Sequence, residues 1–361
     1  MTEQIKRMER EAVKEMLHYH ERNRKQKVKD MVKKAAGYYV PPEDIIFWPT
    51  GLIANVLTEY YDVWENKDEV LDALTLYFDR WIDRDAPIYY MDDVLCGVAL
   101  IDLYKLTGRE KYKAAADKMA EYIRNLSKKE SDGAGSIPYR HTQKNGHIYV
   151  DSIGMVCPFL CKYGFEFEDR DSQELAISQI VNMLKYGMDD KIFLPYHGFE
   201  YESKVKYGII GWGRGAGWLL LGMAGTLKFL PPGYEGYEEL GHAFRKLICS
   251  VSVYQKGNGA FTWQLEAMEG PEDSSATAMI AQAVLTGMEC GIANGDDIHS
   301  TCRELVKKAA EYLSGCERDG RVYNCSGECM GFSQYPQTYS SYPWSLGPGL
   351  AVLVAGTEQL L

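Results

Sequence analysis

Charged side chains that could perform acid–base chemistry occur in four short segments of this 361-residue chain. Asp92 and Asp93 stand in MDDVLCG, Asp151 in IYVDSIG, His197 in LPYHGFE and Arg214 in GWGRGAGW. Two carboxyl groups that face the same cavity can differ in pKa, so that one donates a proton while the other accepts one. The segments therefore indicate general acid–base catalysis on a polar substrate.

Each of these residues also has an ordinary structural explanation. Asp92, Asp93 and Asp151 all begin predicted helices, where acidic side chains cap the free N–H groups and complement the helix dipole. A single histidine such as His197 often serves only to hydrogen-bond a loop. From the residues alone, both interpretations stay open.

Aromatic side chains are frequent in the same loops, and the chain contains 26 tyrosines. Flat rings with a polar edge stack on sugar rings and donate hydrogen bonds, which favours a carbohydrate ligand. The alternative is that these rings simply pack over helix ends. The candidate binding residues of the loops, besides those already named, are Tyr139, Arg140, His141, Trp212, Trp218 and Trp344.

The elements that must position these residues are helices. A 3.6-residue apolar period predicts about twelve helices and almost no strands. They lie near 5–35 (with a break), 50–63, 67–83, 92–106, 110–127, 152–164, 171–187, 214–229, 236–255, 273–291, 296–315 and 344–358. Among the predicted N-caps are Asp171 and Asp273.

Successive helices are joined by short turns into hairpins, and four long loops connect one hairpin to the next. Each long loop follows the second helix of a pair, so all four emerge at one end of the array. An open array would need polar caps on its terminal hairpins, whereas a closed ring buries both ends. We therefore expect an all-α fold, an (α/α)6 barrel or six-hairpin toroid, with its chemistry at the mouth that carries the loops.

The overall composition excludes several classes of function. A net charge of −11 argues against nucleic acid as a partner. The sequence lacks an apolar run of about 18 residues that could span a membrane, and its charged start differs from a secretory signal, so we expect a cytoplasmic protein. Nine cysteines are scattered through apolar helices. Cys325-x-x-x-Cys329 lacks matching zinc ligands in sequence, so free thiols are expected and no metal.

The motifs together resemble the unsaturated glucuronyl and rhamnogalacturonyl hydrolases, glycoside hydrolase families 88 and 105, and the second more closely. The resemblance rests on MDDVLCGVALIDLYKLTGREKY, IYVDSIGMVCPFL, YHGFE and WGRGAGW, in that order. It extends over roughly residues 50 to 358. It implies an (α/α)6 catalytic domain, which we place over 41–361. Residues 1–40 are strongly charged and lie outside the resemblance; we expect them to form a helical segment that completes the ring, with an oligomer contact as the alternative.

The resemblance also implies the substrate and the reaction. The substrate is an oligosaccharide made by a polysaccharide lyase, with a 4,5-unsaturated uronic acid at its non-reducing end, and we expect galacturonyl-rhamnose. The enzyme hydrates the enol-ether double bond, and the glycosidic bond breaks afterwards. No metal or organic cofactor is implied.

The resemblance assigns roles to individual residues. Asp151 matches the proton donor that also activates water, and Asp92 matches the second acid, with Asp93 as its neighbouring alternative. His197 matches a substrate contact. Arg214 matches a guanidinium that binds a carboxylate in bidentate fashion, while the two motif tryptophans, Trp212 and Trp218, fit stacking or wall positions.

Two other functions are compatible with the same residues. One is a conventional inverting glycosidase with Asp151 as acid and Asp92 as base. The other is a non-catalytic carbohydrate-binding protein built from helical repeats. The sequence leaves open the identity of the uronate and of the adjacent sugar, as well as the oligomeric state.

Overall fold

The computed structural model of the chain describes residues 1–38, 40, 46–130, 135–139, 146–293 and 296–357. Within these ranges the chain forms thirteen α-helices. In chain order they are α1 (Glu3–His18), α2 (Arg24–Ala35), α3 (Trp48–Glu59), α4 (Lys67–Ile82), α5 (Gly97–Thr107), α6 (Glu110–Glu130), α7 (Val150–Glu166), α8 (Arg170–Tyr186), α9 (Gly213–Phe229), α10 (Tyr237–Ser252), α11 (Ser274–Glu289), α12 (Asp296–Cys316) and α13 (Pro343–Thr357).

Six helices form a closed inner ring. Each of α3, α5, α7, α9, α11 and α13 contacts the next, and α13 closes the ring against α3. The outer layer consists of α4, α6, α8, α10 and α12, with α1 as the sixth member, packed on α13 and α3. The predicted (α/α)6 barrel is therefore confirmed.

The two layers differ in sequence because they differ in burial. The inner helix α13 reads PWSLGPGLAVLVAGT and is apolar on all sides, as expected of a helix enclosed between other elements. The outer helix α1 buries one stripe at helical spacing: Ile5, Met8, Glu9, Ala12 and Met16. None of the residues of α2 is buried, so this helix adds no apolar stripe to the core.

Several predicted helix boundaries differ from those in the structure. The stretch 5–35 is two helices, α1 and α2. The stretch 92–106 begins as a 3-10 turn, Met91–Cys96, which continues directly into α5. The N-cap of α8 is Asp169, whose carboxylate accepts the Ser172 N–H at 3.0 Å, and not Asp171.

The expectation of almost no strands missed short antiparallel pairs within the mouth loops. The strands are β1 (His147–Tyr149), β2 (Tyr196–Glu200), β3 (Lys206–Ile210), β4 (Glu317–Arg318), β5 (Arg321–Val322), β6 (Cys325–Ser326) and β7 (Tyr339–Ser340). The first three form one sheet in the order β1–β2–β3, while β4 pairs with β5 and β6 with β7. Runs of two to five residues are too short to show a strand period.

No helix of the described ranges is long and apolar enough to cross a membrane. All nine cysteines are free, as the sequence predicts. Most of them are buried in the helical layers, where a thiol behaves as a small apolar group.

Glycines set the close approach of α7 to α9. A Cβ placed on Gly222 of α9 would lie 2.6 Å from the carbonyl oxygen of Ile153 in α7. We expect Gly222→Ala to lower the free energy of unfolding by about 1–3 kcal/mol, because the obstacle is backbone that must move. Chemical denaturation followed by circular dichroism measures this loss.

The matched control is Gly315→Ala near the end of α12, where a Cβ meets no atom within 4 Å. This change is expected to leave stability unchanged or to raise it by up to about 1 kcal/mol, since alanine favours helix. Equal losses in both variants would contradict the proposed close contact.

Candidate active site

A cavity of about 410 Å³ opens at the end of the ring where the inner helices begin. Its walls come from α3, α7 and α9 and from the loops that precede α7, α9 and α13. The lining residues are Trp48, Tyr139, Tyr149, Asp151, Met155, His197, Trp212, Arg214, Trp218, Glu328, Cys329, Met330 and Gly331. Residues far apart in sequence therefore meet at one mouth.

Asp151 is the second residue of α7, and the pairing of β1 with β2 determines its surroundings. Tyr149 of β1 lies opposite Gly198 of β2, which brings Asp151 beside His197. Its carboxylate Oδ2 is 3.1 Å from His197 Nε2. The N-cap of α7 is Tyr149, which makes no side-chain cap, so Asp151 is not the predicted capping residue.

His197 links Asp151 to a tyrosine from a distant loop. The imidazole is 1% exposed, and its Nδ1 lies 2.7 Å from the hydroxyl of Tyr335. That hydroxyl also accepts the Ile209 N–H at 3.3 Å. Burial raises the pKa of Tyr335, so the phenol keeps its proton and can donate to Nδ1 or accept from it.

This chain of contacts can hold a proton in two places. If Tyr335 donates to Nδ1, then Nε2–H donates to an ionised Asp151; if Nδ1–H donates to Tyr335, then Nε2 accepts from a protonated Asp151. Asp151, His197 and Tyr335 are thus hydrogen-bonded in either state. The arrangement suits a carboxyl group that gives up a proton and later takes one back.

Arg214, the second residue of α9, is 2% exposed, and hydrogen bonds hold its guanidinium in place. Its Nη1 donates to Ser275 Oγ at 3.2 Å and to Ser326 Oγ at 2.6 Å, and its Nη2 donates to the Gly327 carbonyl at 2.9 Å. Burial would lower the pKa of this guanidinium, but nearby negative charges, Asp273 foremost, hold it above its ordinary value. Arg214 therefore stays a cation.

A cation at the second position of a helix is electrostatically unfavourable, because the helix dipole places partial positive charge at the N-terminus and repels the Arg214 guanidinium. Asp273, fully buried before α11, compensates with a carboxylate 3.8 Å from Nη1. It also caps α11 as predicted, accepting Ser275 N–H at 2.9 Å. The ion pair fixes the guanidinium at the cavity wall.

Asp92 and Asp93 point to different partners. Asp93 Oδ2 accepts the backbone N–H groups of Tyr89 at 2.9 Å and Tyr90 at 3.1 Å, so it shapes the loop. Asp92 Oδ2 accepts the hydroxyl of Tyr139 at 2.8 Å. Asp92 is not among the described residues that line the cavity, but Tyr139 is. The geometry therefore distinguishes Asp92 from its neighbour.

The tryptophans divide between wall and support. Trp212 and Trp218 line the cavity, and the face of Trp212 lies 4.7 Å from the Arg214 guanidinium. Trp344 lies behind them, donating from Nε1 to the Ser326 carbonyl at 3.0 Å, and is not in the lining of the described cavity. The candidates Arg140 and His141 lie outside the described residues.

Sequence reasoning missed several residues of the wall. Trp48 begins α3 and packs edge-on against Trp218 at 5.7 Å. Trp48 lies in the first turn of an inner helix, as Asp151 and Arg214 do. That position is the feature of the sequence that could have identified it. Glu328 and Cys329 of the wall, and Tyr335 behind His197, come from the irregular loop before α13, where no periodic pattern marks them.

Several known proteins are similar to this chain in sequence. A family model described as Glycosyl Hydrolase Family 88 matches residues 7–360. The unsaturated rhamnogalacturonyl hydrolase YesR of Bacillus subtilis is 26% identical over 302 residues, which are 80% of this chain and 83% of that protein. An unsaturated 3S-rhamnoglycuronyl hydrolase of Formosa agariphila is 26% identical over 224 residues, 59% of this chain and 57% of that protein.

Solved structures share the fold. A possible member of the GH105 family from Klebsiella pneumoniae superposes with a TM-score of 0.81 at 17% identity, over 100% of this chain and 95% of that chain. The unsaturated glucuronyl hydrolase of Bacillus sp. GL1 superposes with a TM-score of 0.69 at 18% identity, over 88% of each chain.

Proposed function

We propose, from the premise that this chain belongs to glycosyl hydrolase family 88, that it releases a 4,5-unsaturated uronic acid from the non-reducing end of lyase-generated oligosaccharides. The observation that carries the proposal is the hydrogen-bonded series Asp151, His197 and Tyr335, whose first two members line the cavity. The proposed substrate is an unsaturated galacturonyl-rhamnose, in keeping with the similarity to a rhamnogalacturonyl hydrolase.

The proposed reaction adds water across the double bond. Protonated Asp151 gives its proton to C4, and the positive charge that develops at C5 is shared with the ring oxygen. A water molecule then bonds to C5 and gives a proton to the Asp151 carboxylate. The resulting hemiketal opens, and the remainder of the oligosaccharide leaves from C1.

The surrounding residues suit an anionic sugar. Arg214 and the N-termini of α7 and α9 supply positive potential for the uronate carboxylate. Trp48, Trp212 and Trp218 form a buried aromatic wall of the cavity. Asp92, expected as the second acid, acts in this proposal as a positioning residue that holds the cavity-lining Tyr139 by accepting a hydrogen bond from its hydroxyl group.

A panel of lyase products tests the proposal. Unsaturated disaccharides from rhamnogalacturonan, polygalacturonate, ulvan and glycosaminoglycans are mixed with the enzyme, and loss of the ultraviolet absorbance of the conjugated double bond is followed. We expect the rhamnogalacturonan product to react fastest. No loss with any member, together with cleavage of a saturated nitrophenyl glycoside, would instead identify a conventional inverting glycosidase.

The role of Tyr335 as a positioning residue is tested separately. We expect Tyr335→Phe to lower kcat roughly tenfold to a hundredfold, since the imidazole loses its fixed orientation. The pH profile of kcat is also expected to change shape, because the partner of Nδ1 is gone. Steady-state kinetics across pH measures both effects.

Tyr207→Phe is the matched control for that change. Tyr207 is 41% exposed and belongs to the same aromatic cluster, stacked on Phe332 with centroids 5.6 Å apart. Its kcat and pH profile are expected to match the wild type. A Tyr335→Phe variant with an unchanged profile would show that this hydroxyl has no part in the proton chemistry.

A further inference from the structure

Three side chains of the cavity bring together the donor atoms that transition metals prefer. Asp151 offers a carboxylate oxygen, His197 its Nε2 and Cys329 its Sγ, and these atoms all lie within 4.8 Å of one another. Oδ2 is 3.1 Å from Nε2, and Sγ is 4.0 Å from Nε2. Zinc binds thiolate sulfur, imidazole nitrogen and carboxylate oxygen, and a site with three protein ligands keeps an open position.

The separations of the oxygen and the sulfur from the shared nitrogen, 3.1 Å and 4.0 Å, can be compared with those of a tetrahedral site. Bond lengths of about 2.3 Å to sulfur and about 2.0–2.1 Å to nitrogen and oxygen place sulfur about 3.6 Å and oxygen about 3.4 Å from the nitrogen. The Asp151–His197 pair already has nearly this spacing. Cys329 Sγ needs to approach Nε2 by about 0.4 Å, and it must also move toward the Asp151 carboxylate, because the three donor atoms span up to 4.8 Å.

One of the two hydrogen-bonded tautomers of His197 can bind a metal. With Nδ1–H donating to the Tyr335 hydroxyl at 2.7 Å, the Nε2 lone pair faces Asp151 and Cys329. A hydrogen bond at the second ring nitrogen is the usual support of a metal-bound histidine. Tyr335 thus fixes the plane of the ring and can accept the proton of Nδ1 in the tautomer that leaves Nε2 available to a metal.

Two features oppose metal binding and limit its strength. Arg214 places a positive charge at the same wall. Burial raises the pKa of the Cys329 thiol to about 12, so the entering cation must displace the thiol proton into solvent. The bound site has one carboxylate, one thiolate and one neutral imidazole, which neutralise a divalent cation.

We propose that Asp151, His197 and Cys329 form a chelating site for a thiophilic divalent cation of the zinc class, and that this cation inhibits the enzyme reversibly. The inhibition rests on the proposed function, since a metal bound to Asp151 occupies the carboxylate that must give and take the proton. The metal binding does not rest on it. The cation is an inhibitor here and not a cofactor of the reaction.

Cobalt spectroscopy tests the site without any need for turnover. Co²⁺ held by a thiolate absorbs in the near ultraviolet by ligand-to-metal charge transfer, and tetrahedral Co²⁺ absorbs strongly in the visible. We expect both bands in the wild type and their loss when Zn²⁺ is added. Cys329→Ser is expected to lack the charge-transfer band, whereas Cys249→Ser, which alters an exposed thiol, keeps it.

Inhibition by Zn²⁺ supplies the second measurement. We expect Zn²⁺ to raise the apparent KM of the wild type and of Cys249→Ser, with recovery on addition of EDTA. Each variant is compared with its own metal-free rate, and the inhibition constant of Cys329→Ser is expected to be at least about tenfold higher.

Each negative result has a distinct meaning. The absence of cobalt bands in the wild type, or equal bands in Cys329→Ser, would overturn the chelating site whatever the activity of the protein. Equal zinc inhibition of the wild type and Cys329→Ser would overturn the inhibitory role. Cobalt bands in a protein that turns over no unsaturated uronide would uphold the metal site and reject the proposed function.

Discussion

Asp151→Asn is expected to lower kcat by about a thousandfold or more, because one carboxyl group serves as both the acid and the base of the proposed reaction. Asparagine is nearly isosteric and can still hydrogen-bond His197, but it neither donates a proton to carbon nor accepts one from water. Loss of the substrate's ultraviolet absorbance in steady state measures the effect.

The fold should tolerate this substitution. Asp151 makes no helix cap, since the N-cap of α7 is Tyr149, so thermal stability and binding of an unsaturated disaccharide are expected to stay close to wild type. Asp190→Asn, at a side chain that is 92% exposed, is the control for loss of one surface carboxylate and should leave kcat unchanged.

The outcome separates the functions under consideration. A kcat within tenfold of wild type would remove Asp151 from the proton transfer. A wild-type protein that binds unsaturated uronides and turns over none of them would favour the non-catalytic binding protein.

Asp273→Ala is expected to produce the largest loss of stability, about 3–5 kcal/mol, because it leaves a buried cation without its counter-ion. Asp273 is 0% exposed. Its carboxylate accepts hydrogen bonds from Ser275 Oγ at 2.6 Å and from Ser326 Oγ at 2.7 Å, and it faces Arg214. Urea denaturation followed by circular dichroism measures the change.

Asp169→Ala provides the matched control, because Asp169 also caps a helix, α8, by accepting Ser172 N–H at 3.0 Å, and also pairs with an arginine, Arg124, but at a partly exposed site. The side chain of Asp169 is 21% exposed, so water can replace the hydrogen bonds of the missing carboxylate. We expect the free energy of unfolding to fall by about 1–2 kcal/mol. If both variants lost the same stability, the burial of the Asp273–Arg214 pair would add nothing beyond a cap and a partly exposed ion pair.

The helices of the ring could be predicted from the sequence because the features that specify a helix are local. An apolar stripe at a 3.6-residue period, a capping residue such as Asp273 and a short turn are all contained within about 20 residues. The loops that follow each hairpin then predicted the mouth. The family resemblance, carried by the segments around Asp151, His197 and Arg214, agrees with the family match over residues 7–360.

The structure of the mouth loops was harder to predict from the sequence, because the conformation of each loop depends on residues far away in the chain. β1 and β2 are brief strands whose pairing joins Tyr149 to Gly198 across an intervening helical hairpin. No local pattern specifies that register. The contact between Asp151 and His197 therefore emerges only when the strands pair.

The sequence by itself determined a closed ring of six hairpins and the residue types at the start of each inner helix, because periodicity and capping act over neighbouring residues. Tertiary structure alone decided which of those residues meet. It turned Asp92 toward Tyr139 and Asp93 toward the backbone, placed Trp344 behind the wall, and brought Cys329 to His197 from 132 residues away. Such contacts depend on loop closure and packing across the ring, which leave no periodic trace in the chain.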